Sequence, residues 1–452
     1  MPFATAEIRI DRSLFRALRS FDANRLEWLD KGAAAAPLAQ LRFGPVRTWS
    51  VTDPDLARQM LITDAASWER PPAAVIPIRL GIGENLFTMP DDAWEILQPQ
   101  VASAFRKRAL DDRLSSMHSI IDDAVATIPR ERPFDVELTM GALALRLAAW
   151  VLFGDRLDSE RALALATHQQ HVVTWVGHRM GQLRTVIPFA FGRDARAMRA
   201  HQSELNTYAD ELLERLSSED RTDSTAHSDS TDSTDSTVHA ESTDSTDSTG
   251  RADDVGTLLT RAKVGGRPMP KKDQRMHVLG LLLAGNETTA AALSWAVVNA
   301  ARHPDEWARL RTDPGAVRPF LDETLRLTPA VWGFARRPKV RGVTLDGHRI
   351  GRNEVVTVYL RGMNRDPTRW NEPLQFRPDR HRTGSPLDAT MLSFGLGPRG
   401  CIGQHLAMAE MLAVLPVLAA AGDFSLDVSR GDLVEDASFA LRVRGGLRAT
   451  LR

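Results

Sequence analysis

SFGLGPRGCIG, residues 393–403, decides how the rest of the chain is read. Its glycines, Gly395, Gly397 and Gly400, allow tight backbone turns close to a bulky ligand. Cys401 arrives just where a helical pattern, QHLAMAEMLAVL, begins. The free N–H groups and positive dipole end of a helix start lower a thiol's pKa and can donate hydrogen bonds to a metal-bound sulfur. Arg399 adds a fixed positive charge nearby. Cys401 is the chain's one cysteine. A lone free cysteine is commonly a small buried hydrophobe, and nucleophilic catalysis is a second reading. Tetrahedral zinc and iron–sulfur clusters call for several thiolates or histidines, which one cysteine without a local histidine cluster does not supply. A haem iron needs only one axial thiolate.

The 452 residues are enough for a large buried core. A net charge of −1 gives no overall pull towards nucleic acid, which is therefore not an expected partner. Basic runs at 106–108 and 336–341 read first as solvated faces. One cysteine makes no internal disulfide, and charges interrupt the N-terminal stretch MPFATAEIRIDRSLFRALRS where a signal peptide would be apolar. A cytoplasmic protein is expected. The longest apolar stretch, 276–301, carries Asn286, Glu287, Thr288 and Thr289 at its centre, where a membrane span tolerates polar groups least. It reads as a helix buried in protein, with no membrane partner.

Apolar residues at spacings of three and four predict helices over 94–108, 111–126, 136–153, 161–180 and 194–216. Strand character is sparse, near 46–51 and again between 339 and 360, where VTLDGHRI and EVVTVYL are rich in β-branched residues. The fold class is mainly α with a small β-sheet region. Residues 217–251 repeat Ser, Thr and Asp with almost nothing apolar to bury, and read as a disordered, low-complexity inserted loop.

The cysteine segment resembles the signature of the cytochrome P-450 family, matched here by Phe394, Gly397, Arg399, Cys401 and Gly403. The resemblance implies a single catalytic domain over 1–452, with haem b sandwiched between a long central helix and the cysteine-loop helix. It implies that Cys401 is the axial ligand, that Phe394 packs over the proximal haem face and that Arg399 meets a propionate. AGNETT, 284–289, resembles the family's oxygen-activation segment in the central helix. The hydroxyl of Thr288 can bond back to the carbonyl of Ala284, four residues earlier, and open a small groove in the helix. An acid beside that hydroxyl can relay protons inwards, which makes Glu287 and Thr288 the candidate catalytic pair.

Glu323 and Arg326 in FLDETLRLTP lie one helical turn apart and can pair. They resemble the family's Glu-x-x-Arg helix, and Phe376, Pro378 and Arg380 in QFRPDR resemble the meander that completes it. A buried network of Glu323, Arg326 and Arg380 is expected to hold the proximal side. The helix near Trp94 aligns with a family segment that often carries His and Arg as propionate partners. Here the positions are Trp94 and Gln98, which donate hydrogen bonds but supply no positive charge. Arg337 is the other expected propionate arginine, with Arg336 as the alternative register. Ala284, Val331, Trp332 and Phe334 are the expected substrate-pocket residues, alongside the 75–87 loop, Trp175 and Phe439.

The implied function is a monooxygenase that inserts one oxygen atom into a small organic substrate, in a setting such as secondary metabolism. The implied electron source is a separate ferredoxin or flavodoxin with an NAD(P)H reductase, docking where Arg106, Lys107 and Arg108 offer positive charge. No Gly-rich dinucleotide or flavin fingerprint of the strand–turn–helix kind is found. A peroxide-driven or non-oxygenating enzyme of the same family is an alternative. A haem-thiolate gas sensor or carrier without catalysis is another, though it leaves the Glu287–Thr288 pair without a purpose.

Overall fold

The computed structural model describes residues 5–106, 110, 113–180, 193–228, 254–382, 392–428 and 433–452. The helices that position the site are α1 (Asp91–Ala102), α2 (Val136–Phe153), α3 (Ser159–Arg179), α4 (Arg193–Ser228), α5 (Lys271–Arg302), α6 (Val317–Leu327) and α7 (Gln404–Ala421). Local chemistry sets their ends. The Asp135 carboxylate accepts the N–H of Leu138 at 3.0 Å to start α2, and Gly154 stops it with a left-handed φ of 66°. Asp158 caps α3 in the same way, accepting from the N–H of Arg161 at 2.7 Å. The α4 backbone stays helical to Ser228, past residue 217, where a disordered loop was expected to begin. The rest of that low-complexity stretch, from 229, lies outside the described residues.

Helices α2, α5 and α7 are long and apolar enough to cross a membrane by length and composition alone. In the protein α2 and α5 bury that surface against each other, and α4, α6 and α7 also pack on α5. A helix apolar on nearly every side is what a central, fully surrounded position requires.

The strands that frame the site are β1 (Thr5–Asp11), β2 (Leu38–Phe43), β3 (Val46–Val51), β4 (Trp68–Glu69), β5 (Pro133–Asp135), β6 (Phe334–Pro338), β7 (Val355–Val358), β8 (Phe424–Leu426), β9 (Glu435–Ala437), β10 (Leu441–Val443) and β11 (Arg448–Leu451). The main sheet runs β1-β2-β3-β7-β6-β4, a second runs β8-β11-β5, and β9 pairs with β10 in a hairpin. The pairs β1/β2 and β3/β7 are parallel, while β2/β3, β6/β7 and β4/β6 are antiparallel. Trp49, Val51, Trp68, Val356 and Val358 form a core for this sheet, separate from the larger helical core around α2 and α5. The fold is thus helical with small sheets beside the helical mass.

Candidate active site

The cysteine loop is set by backbone bonds that its glycines permit. The N–H of Cys401 donates to the carbonyl of Phe394 at 2.8 Å, and that of Gly400 to Gly397 at 2.9 Å. Gly397 has φ +71°, and a Cβ there would lie 1.9 Å from the carbonyl oxygen of Leu61, so no side chain fits. Gly403 then caps α7, its carbonyl accepting the N–H of Ala407 at 2.9 Å. Cys401 presents accessible surface, yet burial pushes its thiol pKa up. Both hold if the sulfur faces a cavity enclosed by protein. The sequence led us to expect a helix start that lowers the pKa. The Gly403 N–H does act in that direction, but desolvation outweighs it. Phe394 is half-buried and packs on the helical core next to this loop.

On α5 the 284–289 segment distributes its residues by face. Ala284, Gly285 and Thr288 are partly exposed within an otherwise buried run, and their spacing puts them on one side of the helix. Thr288 Oγ1 donates to the carbonyl of Ala284 at 2.9 Å. Glu287 is buried on a different side, where Arg442 of β10 grips both its oxygens, Nε to Oε1 at 2.8 Å and Nη2 to Oε2 at 2.5 Å. Asn286 reaches α3, its side-chain amide donating to Gln169 Oε1 at 2.8 Å. Thr289 reaches α7, donating to Glu410 Oε2 at 3.4 Å, and burial raises Glu410 to about 8. The segment is therefore tied to α3, α7 and β10 at once, and the candidate acid and hydroxyl point in different directions.

A third cluster gathers guanidinium groups. Arg399 Nη2 donates to Asp91 Oδ1 at 2.6 Å, its guanidinium lies 4.4 Å from the Trp94 ring, and its buried Nη1 has no partner among the described residues. Arg336 donates to the carbonyl of Ala335 at 3.0 Å, and burial with Arg399 close by lowers it to about 10. Arg70, from the segment after β4, donates to the Met89 carbonyl at 2.8 Å and is lowered to about 9, first by burial and then by Arg399 and Arg336. Among the described residues, Asp91 is the carboxylate that counters them. Three half-buried cations, an orphan N–H and a single opposing acid make a binding place for dianionic carboxylates. With Cys401 two residues along from Arg399, that donor set fits a haem with its two propionates.

Arg337, the expected propionate arginine, is not in this cluster. It lies directly opposite Glu69 in the β4/β6 register and pairs with it at 2.7 Å. Alternation along β6 turns Arg336 inwards instead. Arg70 was missed altogether, since an arginine after a short strand carries no sequence signal of its own. Trp94 joins the cluster through Arg399, while Gln98, one turn further along α1, is half-buried.

Two expected pocket residues also face elsewhere. Trp332 packs into the cluster of Ala17, Leu29, Phe43 and Tyr359 beside β2, with its indole N–H donating to the carbonyl of Ser438 at 3.3 Å. Phe334 packs on the main-sheet core, its ring end 3.4 Å from where a Cβ on Gly395 would lie. It belongs against the cysteine loop. Val331 is half-buried at the end of the segment leaving α6, and Ala284 lies on the partly exposed face of α5.

Glu323, Arg326 and Arg380 do come together. Arg326 Nε and Nη2 donate to the two oxygens of Glu323 at 2.7 and 2.8 Å, and Arg380 Nε donates at 3.0 Å. His381 Nε2, at 2.8 Å, and the backbone N–H of Arg377, at 2.8 Å, complete the shell, neither foreseen from the sequence. Burial pushes Glu323 up, but the bonds from Arg326, His381 and Arg377 bring it down to about 2. Arg326 also donates to the carbonyls of Asn364, Pro373 and Gln375, pinning the meander to α6.

Comparisons with known proteins agree with this geometry. The crystal structure of CYP175A1 from Thermus thermophilus superposes with a TM-score of 0.75 at 21% identity, covering 99% of this chain and 100% of its own. A six-coordinated cytochrome P450 from another strain of Thermus thermophilus gives a TM-score of 0.71 at 22% identity over 96% of this chain and 99% of its own. A Mycobacterium tuberculosis relative named as a cytochrome P450 is 27% identical over 76% of this chain and 68% of its own length. The 20-oxo-5-O-mycaminosyltylactone 23-monooxygenase of Streptomyces fradiae is 32% identical over 36% of each chain. The cytochrome P450 family model matches residues 32–432. On that span, the chain belongs to the cytochrome P450 family and is a haem-dependent monooxygenase.

Proposed function

We propose that Cys401 is the axial thiolate of a haem b and that the enzyme hydroxylates or epoxidises a small organic substrate with one atom of O2. The observation that carries this reading is the face of α5 on which Ala284, Gly285 and Thr288 keep accessible surface inside a buried helix. A thiolate-ligated haem supplies electron density that favours O–O cleavage. Arg70, Arg336 and Arg399 would hold its propionates, and Trp94 stacked on Arg399 fixes the plane of that guanidinium. Gly397 and the Phe394 carbonyl hold the cysteine backbone in place. Thr288, bonded back to Ala284, offers its oxygen lone pairs to a proton-bearing water on the exposed face, and Glu287 is the adjacent acid.

A separate ferredoxin or flavodoxin with an NAD(P)H reductase would deliver the electrons. Arg106 belongs to the basic run assigned to that docking, while Lys107 and Arg108 lie outside the described residues. A cytoplasmic setting accords with the chain's single free thiol. Tailoring of a natural product is supported by the name of the Streptomyces fradiae relative. Ala284 and Val331 are the pocket residues we retain.

The bidentate grip of Arg442 on Glu287 favours a second reading, a peroxide-driven cycle that needs no proton relay. A screen for compounds that shift the haem Soret band identifies substrates, and turnover with a surrogate reductase then separates the readings. Oxygen-dependent product that falls in Glu287→Gln and Thr288→Ala supports the proposal. Product formed only with peroxide supports the second reading, and binding without any product would make the protein a carrier or sensor.

A further inference from the structure

Asp91, the first residue of α1, holds one edge of the Arg399 guanidinium. Its Oδ1 accepts from Nη2 at 2.6 Å and from Nε at 3.2 Å, while Nη1 has no partner among the described residues. The same guanidinium lies 4.4 Å from the ring of Trp94, one turn further along α1. One helical turn therefore orients Arg399 twice, by its edge and by its face, and the Met89 carbonyl adds a contact to Nη2 at 3.3 Å. On its far side Asp91 meets Lys339, which follows β6, with Oδ2 3.8 Å from Nζ. Arg399 is 17% exposed and Asp91 43%, so the pair is enclosed on the arginine's side and open to water on the acid's.

Charge decides what this carboxylate does. Arg70, Arg336 and Arg399 crowd one another, and Asp91 is the acid that acts on both Arg70 and Arg336. Neighbouring acids are committed elsewhere, Glu69 to Arg337 at 2.7 Å and Glu84 to Arg79 at 2.8 Å. A carboxylate bonded to a propionate-binding arginine offsets part of the positive charge that arginine presents to the haem. An electron added to a haem is less favoured as its surroundings become more negative. An acid in the first turn also suits a helix start, which by itself would make Asp91 only a structural residue. Asp92 is exposed in the same first turn and has no bond to Arg399 among the described residues, so it separates the two effects.

We propose that Asp91 is a positioning residue that holds down the reduction potential of the haem by sharing the charge of Arg399, a role that rests on the reading of Cys401 as the haem ligand and of Arg399 as a propionate partner. Asp91 acts only through Arg399, whose plane Trp94 fixes. Without its charge, Arg399 is left wholly to the propionates, and the haem is reduced more readily and held at least as tightly. Asp91 thereby sets how strong a reductant the separate electron donor must be.

The test is a redox titration of the haem-loaded enzyme with dithionite and mediators, followed in the Soret band, together with transfer of haem to apomyoglobin. Asp91→Asn should shift the midpoint potential upwards and release haem no faster than wild type. Asp91→Glu should bring the potential back towards wild type, and Asp92→Asn should leave it unchanged. A potential that is unmoved or lowered in Asp91→Asn, an equal rise in Asp92→Asn, or faster haem release from Asp91→Asn overturns the inference. Should Asp91→Asn fail to fold, Lys339→Gln decides, because freeing Asp91 of its second cation should lower the potential, and an unchanged value overturns the inference too. Failure of the underlying reading looks different: wild type would lack the thiolate Soret band with carbon monoxide, or Arg399→Gln would hold haem as firmly as wild type.

Discussion

At the scale of single residues, adjacent arginines on β6 have opposite fates. Arg336 faces the half-buried cluster with Arg399 and Arg70, while Arg337 pairs with Glu69 at the edge, each side chain of that pair about a third exposed. A pair so exposed contributes about 0–1 kcal/mol. Arg337→Gln should therefore leave haem content unchanged, whereas Arg336→Gln should lower the haem-to-protein ratio of the purified enzyme. Equal loss in both would contradict the assignment. Glu323 gives a second prediction. Its side chain is 0% exposed and accepts from Arg326, Arg380, His381 and the Arg377 backbone. Truncating it strands buried cations, so Glu323→Ala should cost about 3–5 kcal/mol, read as a lowered Tm and poor haem incorporation. A pKa brought down to about 2 means that this stability is present at neutral pH. It is lost as pH falls from the ordinary glutamate range towards 2. The Glu-x-x-Arg spacing was legible because it lies within one helical turn. The choice between Arg336 and Arg337 was not, because it depends on strand register against residues far away in the chain.

Secondary-structure elements were most legible where local caps define them. Residues 136–153 and 46–51 were read with the observed bounds because Asp135 and Gly154 close the helix and turn residues close the strand. The end of α4 was misjudged because composition, which governed the reading of 217–251, says nothing about how far a preceding helix propagates. The contact between α3 and α4 carries a further prediction. Nδ1 of His168 lies 2.9 Å from Nδ1 of His201, and the His171 ring stacks on His201 at 4.1 Å. Partial burial, then His171 and His168, pull His201 below the usual imidazole value. A base lowered in the folded state contributes stability above its unfolded pKa and loses it on acidification. Hydrogen-exchange protection factors in α3 and α4, corrected for the intrinsic pH dependence of exchange, should therefore fall as pH drops below about 6.5. His201→Gln should remove that pH dependence, and a variant that keeps it would contradict the role of the trio.

For the whole molecule, the cysteine segment made the fold class readable, since few other chemistries suit one cysteine among such glycines. The long-range contacts that complete the site were not readable. Arg442 meets Glu287 from 155 positions away, and Arg399 meets Asp91 from 308. Nothing in local pattern or propensity reports on such pairs. The low-complexity stretch stands apart from all of them, having almost no apolar residue to contribute to a core. Deleting 229–250 should leave haem content and Tm nearly unchanged, and a large loss of either would show that the stretch serves the fold. The central claim remains the thiolate of Cys401. The most direct measurement is the Soret spectrum of the reduced protein with carbon monoxide. Wild type should show the red-shifted band of a thiolate-ligated haem, and Cys401→Ala should lack it. A red-shifted band retained in Cys401→Ala would contradict the account.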